Sequence, residues 1–170
     1  MADVDRAEFE RFVAEHGDRL LHAAYGLCGD WQHAEDLVQR ALVALARRWS
    51  ALSTNPLGYA YRCLVRANID RWRVVRRRPE VLLDPQDLSA LGSPSEPEGR
   101  EDHLLVLAAL QTLPRRQRAI VVMRYLQDLS EADTAQALGI SVGAVKSGAA
   151  RGLARLRAEQ SNLLTEAGRE

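Results

Sequence analysis

Lysine is nearly missing from this chain: Lys146 stands alone among 170 residues, and arginine supplies every other Lys/Arg position. Net charge is missing too, since 23 cations balance 23 anions, which on its own excludes a uniformly basic nucleic-acid binder. Cysteine occurs only as Cys28 and Cys63, with no CxxC and no Cys/His cluster. That argues against a zinc site or a disulfide framework, and the pair reads as small apolar fillers suited to a reducing compartment. No run approaches the ~20 apolar residues that span a bilayer, and the charged start MADVDRAEFE has no apolar core of a secretory signal. The expectation is a cytoplasmic protein without membrane insertion. The four histidines (16, 22, 33 and 103) form no HExxH, and neither GxSxG nor a phosphate-cradling glycine loop occurs. His33, Glu35 and Asp36, adjacent on a helix, do not converge on one ion. No enzyme activity, cofactor or metal is therefore expected.

Strand signals are almost absent as well. Apolar residues, 46% of the chain, recur at helical spacing, with Gly and Pro between the periodic segments. A first helix is predicted over 4–27, with Phe9, Phe12, Val13, Leu20 and Ala24 on one face. Gly29 ends it, and Asp30 caps a second helix over 31–49, whose stripe is Ala34, Leu37, Val38, Ala41, Leu42, Leu45 and Trp49. Asn55 and Pro56 open a third helix to about residue 78, with Leu57, Tyr61, Leu64, Asn68 and Trp72 inward. Further helices are predicted over 102–110, 114–125, 130–138 and 142–159, with the last eleven residues fraying.

Composition changes at residues 79–102, which hold four of the six prolines. The expected fold class is all-α: two small helical domains, 1–78 and 103–170, joined by a flexible linker at 79–102. Charge is divided along the same line. Residues 60–79 carry seven arginines against Asp70, whereas residues 80–102 carry seven acids against Arg100. The zero net charge is a cancellation.

Residues 131–150 fit a helix-turn-helix, with Ala135 at the tight helix crossing and Gly139 at the turn. Leu138, Ile140 and Val145 are expected to be buried. Ser130 with Asp133 makes a variant capping box, and Ser141 caps the second helix. That helix is the candidate recognition element, placing Lys146, Ser147 and Arg151 where phosphates or base edges can be reached. The short residues Gly143, Ala144 and Gly148 read as allowing close approach to DNA. Two residues depart from the usual pattern. Thr134 stands where a larger apolar residue is common, and Gly148 costs about 1 kcal/mol of helix propensity. A solvated helical hairpin is the plainer alternative.

LPRRQRAIVVMRYLQDLSEADTAQALGISVGAVKSGAARGLARLR (113–157) resembles region four of bacterial RNA polymerase sigma factors. AEDLVQRALVALARRW (34–49) and NPLGYAYRCLVRANIDRWRVVRRRP (55–79) resemble region two of the same sigma-70 family, in the same order. With no region one or three between or before them, the pattern is that of the small extracytoplasmic-function members, especially the actinobacterial ones.

The resemblance implies core RNA polymerase (its β′ coiled coil and β flap) and promoter DNA as partners, and an anti-sigma factor as a further one. It implies docking on the β′ coiled coil through Glu35, Asp36, Gln39 and Arg40, positions that by residue type alone read equally as a solvated face. It implies reading and melting of the −10 element by Ser53, Thr54 and Asn55 in a loop and by Arg62, Arg66, Asn68 and Arg71 on the third helix. Tyr61 and Trp72 read as core packing ahead of base stacking. Gly143, Lys146, Ser147 and Arg151 match positions facing the −35 groove, and Gly148 replaces a longer polar side chain there. Arg115, Arg116 and Arg118 face either −35 phosphates or the polymerase. The acidic linker fits a segment threading the polymerase, or a plain spacer.

The expected function is thus a sigma factor that directs promoter-specific initiation. The rival is a stand-alone helix-turn-helix regulator that never joins the polymerase, and dependence of DNA recognition on core enzyme separates the two.

Overall fold

The computed structural model describes residues 3–52, 54–77 and 100–167, with side chains placed at 5–52, 54–70 and 105–161. Among the described residues are seven α-helices and no strand, and the chain divides into two compact units, Met1–Arg100 and Glu101–Glu170. Ser53 and residues 78–99, including nearly all of the expected linker, lie outside the described residues. None of the described helices is long and apolar enough to cross a membrane.

The first unit is built from α1 (Asp3–Cys28), α2 (Trp31–Ala46) and α3 (Pro56–Arg77), each packed on the other two. Helices break here where a backbone donor finds a side-chain acceptor. Gly29 takes a φ of 75° that a Cβ would disfavour, and the Asp30 carboxylate then accepts from the His33 amide at 2.7 Å. At α3, Asn55 Oδ1 accepts from the Gly58 amide at 2.8 Å. Leu20, Ala23 and Ala24 of α1, Leu37, Ala41 and Leu45 of α2, and Ala60, Tyr61 and Leu64 of α3 form the buried interior. Each large side chain contributes about 1.5–3 kcal/mol on burial. Phe9, Val13, Leu42 and Leu57, expected inward, are half-buried at its margins.

The second helix stops three residues earlier than its apolar period suggests. A 3-10 turn over Trp49–Ala51 follows, and Trp49 swings onto Phe9 and Phe12, with ring centroids 5.2 and 5.3 Å apart. Tertiary aromatic contact, rather than the stripe of α2, places that tryptophan.

The second unit contains α4 (Arg100–Thr112), α5 (Arg115–Val121), α6 (Glu131–Leu138) and α7 (Val142–Ala167). A π-helical turn, Val122–Leu126, closes α5, with the Gln127 amide reaching the Val122 carbonyl at 3.0 Å. Four consecutive residues, Ile120 to Met123, are buried there. The final helix continues to Ala167 instead of fraying after about 159, and the Gln, Leu, Glu and Ala residues of that extension carry good helix propensity.

Candidate nucleic-acid interface

The turn between α6 and α7 is built as its residues dictate. Ser130 Oγ accepts from the Asp133 amide at 3.0 Å and donates to the Asp133 carboxylate at 2.6 Å. Gly139 adopts φ 64°, ψ 40°, and the Ile140 amide reaches back to the Ala135 carbonyl at 3.0 Å. This left-handed closure is open to glycine at little cost. Ser141 Oγ then accepts from the Ala144 amide at 3.2 Å, starting α7. Ile120, Ala135, Val145 and Ala149 form the core of the motif. Leu138 and Ile140, expected to be buried, are only half-buried and pack against that core from outside.

The helix α7 is sorted into two faces. Gly143, Lys146, Ser147 and Arg151 are exposed, while Val145, Gly148, Ala149 and Gly152 are buried. A row at steps of three and four is one continuous surface on a helix. Arg151 Nη2 lies 3.5 Å from Ser147 Oγ, so the two side chains share a ridge. Lys146 Nζ stands 3.5 Å from Glu131 Oε2, at the first turn of α6.

Gly148 is not on the exposed row. Its missing Cβ is where Ile120 Cδ1 sits, and one turn on a Cβ at Gly152 would lie 2.7 Å from Val121 Cγ2. The glycines bring α7 against α5, so the reading of Gly148 as a shortened DNA contact is corrected. Residue type alone did not separate closeness to a ligand from closeness to a helix.

Arg118 is corrected as well. Its Nη2 donates to the carbonyls of Gln111, at 2.9 Å, and Leu113, at 3.1 Å, so it caps the end of α4 and does not extend toward a polyanion. Arg115 and Arg116, in contrast, are exposed on the first turn of α5.

In the first unit the expected −10 residues separate in the same way. Arg66 and Thr54 are exposed, and Arg62 is half-buried. Asn68 is buried, with Oδ1 lacking a hydrogen-bond partner among the described residues, so it belongs to the interior and not to a DNA face. Asn55 is exposed, but its carbonyl oxygen is engaged in capping α3. Arg71 lies on the backbone of α3, with its side chain outside the described set. Tyr61 is fully buried, its hydroxyl pushed above the ordinary range by burial and drawn back by the charge of Arg19 and then by a hydrogen bond from it. It is core. The Trp72 side chain lies outside the described set.

Burial pushes the Cys63 thiol up, opposed by a hydrogen bond from Tyr59 and then by the fields of Arg66, Arg62 and Arg48. The thiol thus feels three arginine charges, Arg62 and Arg66 of α3 and Arg48 from the segment after α2. Arg48, just after α2, was missed from the sequence because its field at Cys63 is a tertiary effect.

Glu35, Asp36, Gln39 and Arg40 are all exposed on α2, with Asp36 Oδ2 paired to Arg40 Nε at 2.9 Å. Glu35, Asp36 and Gln39, but not Arg40, line an open groove of about 480 Å³ between α1 and α2, floored by Val13, Leu21, Val38 and Leu42. Asp18 of α1 adds a third carboxylate to Glu35 and Asp36 there. It too was missed, since nothing in the spacing of α1 marks the side that faces α2.

Two family models match the chain in the order of these units: Sigma-70 region 2 over residues 12–78 and Sigma-70, region 4 over residues 103–156. The RNA polymerase sigma-E factor of Streptomyces avermitilis is 37% identical over 161 residues, covering 94% of this chain and 88% of its own. The chain belongs to the sigma-70 family. The ECF RNA polymerase sigma factor SigM of Mycobacterium tuberculosis, 32% identical over 89% of this chain and 76% of its own, places it with the extracytoplasmic-function members. The fold is that of the sigma factor RpoE from Bartonella quintana, solved with the anti-sigma factor NepR: TM-score 0.72, 23% identity, 89% of this chain and 95% of that one. As a sigma factor of this family the protein directs transcription initiation by RNA polymerase. The stand-alone regulator is disfavoured, because both sigma regions are present.

Proposed function

We propose that the two units divide promoter recognition. The first docks on core polymerase through the groove of α1 and α2 and captures the melted −10 strand along α3 and the loop before it. The second reads the −35 duplex with α7. The observation that carries this is the sorting of α7, which leaves Gly143, Lys146, Ser147 and Arg151 as an exposed row beside a face buried at Val145, Gly148, Ala149 and Gly152.

Residue roles follow from exposure and charge. Glu35, Asp36 and Gln39, with Asp18, offer an acidic rim over an apolar floor, suited to a basic amphipathic helix such as the β′ coiled coil. Arg62, Arg66 and Arg71, joined by Arg48, hold phosphates while Thr54 and Asn55, with Ser53, meet unstacked bases. Arg115 and Arg116 take backbone phosphates beside the −35 element or the β flap. Segment 79–102 sets the distance between the two reading heads. The reading implies no catalytic chemistry of the protein's own, a cytoplasmic site of action beside polymerase and DNA, and an anti-sigma factor as an inhibitory partner.

Two modest sites held on one core enzyme gain affinity through effective concentration, so the isolated protein binds promoters weakly. The experiment is transcription from a genomic promoter library by purified core polymerase, with and without this protein. Discrete starts sharing a −35 and −10 pair, appearing only on addition, bear the reading out. Lys146→Ala and Arg151→Ala then lower initiation at those promoters with core binding unchanged. Tight sequence-specific binding without core, and no new starts, would overturn it.

A further inference from the structure

The single lysine of the chain does not stand free on the recognition helix. Lys146 Nζ lies 3.5 Å from Glu131 Oε2, bridging the second turn of α7 to the first turn of α6. Both side chains remain accessible, at 64% and 39%. A carboxylate on the groove-facing side of a DNA reader opposes phosphate binding, which supplies most sequence-independent affinity. An ammonium on a four-carbon stem is mobile and takes any phosphate in reach. Held by Glu131, it is drawn toward α6 and partly neutralised, while its remaining donors stay open to acceptors on a base edge.

We propose that Glu131 is a specificity-determining residue of the −35 interface, acting through Lys146: it suppresses lysine–phosphate contacts on arbitrary duplex and directs the ammonium to one position in the groove. This rests on the reading that the exposed row of α7 faces −35 DNA. An exposed pair of this kind is weak, so the effect is modest, about two- to fivefold in affinity.

The test uses holoenzyme, the full chain bound to core polymerase, on linear duplexes with and without the −35 element selected in the transcription experiment. Glu131→Gln keeps size and helix-start geometry while removing the charge. It tightens binding to duplex lacking the element by about two- to fivefold. The log–log salt dependence steepens by up to about 0.9, one more phosphate contact. Binding to the cognate duplex stays within a factor of two, so discrimination falls. In a Lys146→Ala background the same change has no effect on either duplex. An unchanged discrimination ratio, or a Glu131→Gln effect that persists without Lys146, overturns the proposal. If Lys146→Ala leaves −35-dependent initiation untouched, the assignment of Lys146 to the groove falls, and the role of Glu131 with it. A neutral Glu131→Gln beside a harmful Lys146→Ala removes the Glu131 role alone.

Discussion

Ile120 Cδ1 of α5 occupies the space a Cβ would take at Gly148 of α7. The two helices meet through this contact and through Val121 against Gly152, one turn further on. The exposed row of α7 is therefore held by a glycine-lined seam behind it. Interiors pack at crystal density, so any side chain added on the seam must displace a neighbour.

Gly148→Arg consequently adds no DNA contact. Overpacking against Ile120 costs about 1–3 kcal/mol, and burying the guanidinium adds to that. Thermal unfolding followed by circular dichroism is expected to show loss of the second unit's transition or a fall of well over 10 °C, with about 4–8 °C per kcal/mol for a domain of this size. A folded variant with tighter −35 binding would refute the seam.

Arg118 holds the carbonyls that end α4, so Arg118→Met is expected to cost about 1.5–3 kcal/mol of stability. The salt dependence of −35 binding by the folded variant stays that of the parent, as no phosphate contact is removed. Urea unfolding and a salt titration on the same sample check both halves.

Thr134 is fully buried, and its hydroxyl has no partner among the described residues. Thr134→Val keeps the branched shape and removes the unsatisfied group, so it stabilises the unit by about 1 kcal/mol. A shift of the urea midpoint upward, at unchanged slope, is the expected result. A clear destabilisation would mean that the hydroxyl is hydrogen-bonded in solution.

Cys63 titrates above the ordinary thiol because burial outweighs Tyr59 and the three arginines. In the folded protein its alkylation by iodoacetamide is slower than that of an unfolded thiol at neutral pH, and the rate rises at higher pH. The stability linked to keeping this thiol protonated is complete below the pKa of the unfolded thiol, and it is lost as pH rises through the folded value. Rates across pH in native buffer and in denaturant test the sign.

Much of the candidate site was legible locally. Asp30, Asn55, Ser130, Ser141 and Gly139 punctuate the chain because caps and left-handed turns depend on a few neighbouring atoms. The stripe of α2 was legible for the same reason, as a period of 3.6 needs no partner to be recognised. What escaped was the side of an element that meets another. Asn68 could be read inward or toward DNA, Arg118 outward or onto a carbonyl, and Gly148 toward a ligand or a helix.

The sequence by itself determined that the protein is helical, where its helices begin and turn, and which segments belong to sigma regions two and four, since these rest on local hydrogen bonds and residue pattern. Only the tertiary structure decided that Gly148 serves packing, that the charge of Arg48 acts on Cys63, and that Glu131 reaches Lys146. Those relations join residues distant in the chain, and their strength depends on distance and burial, which no spacing of letters specifies.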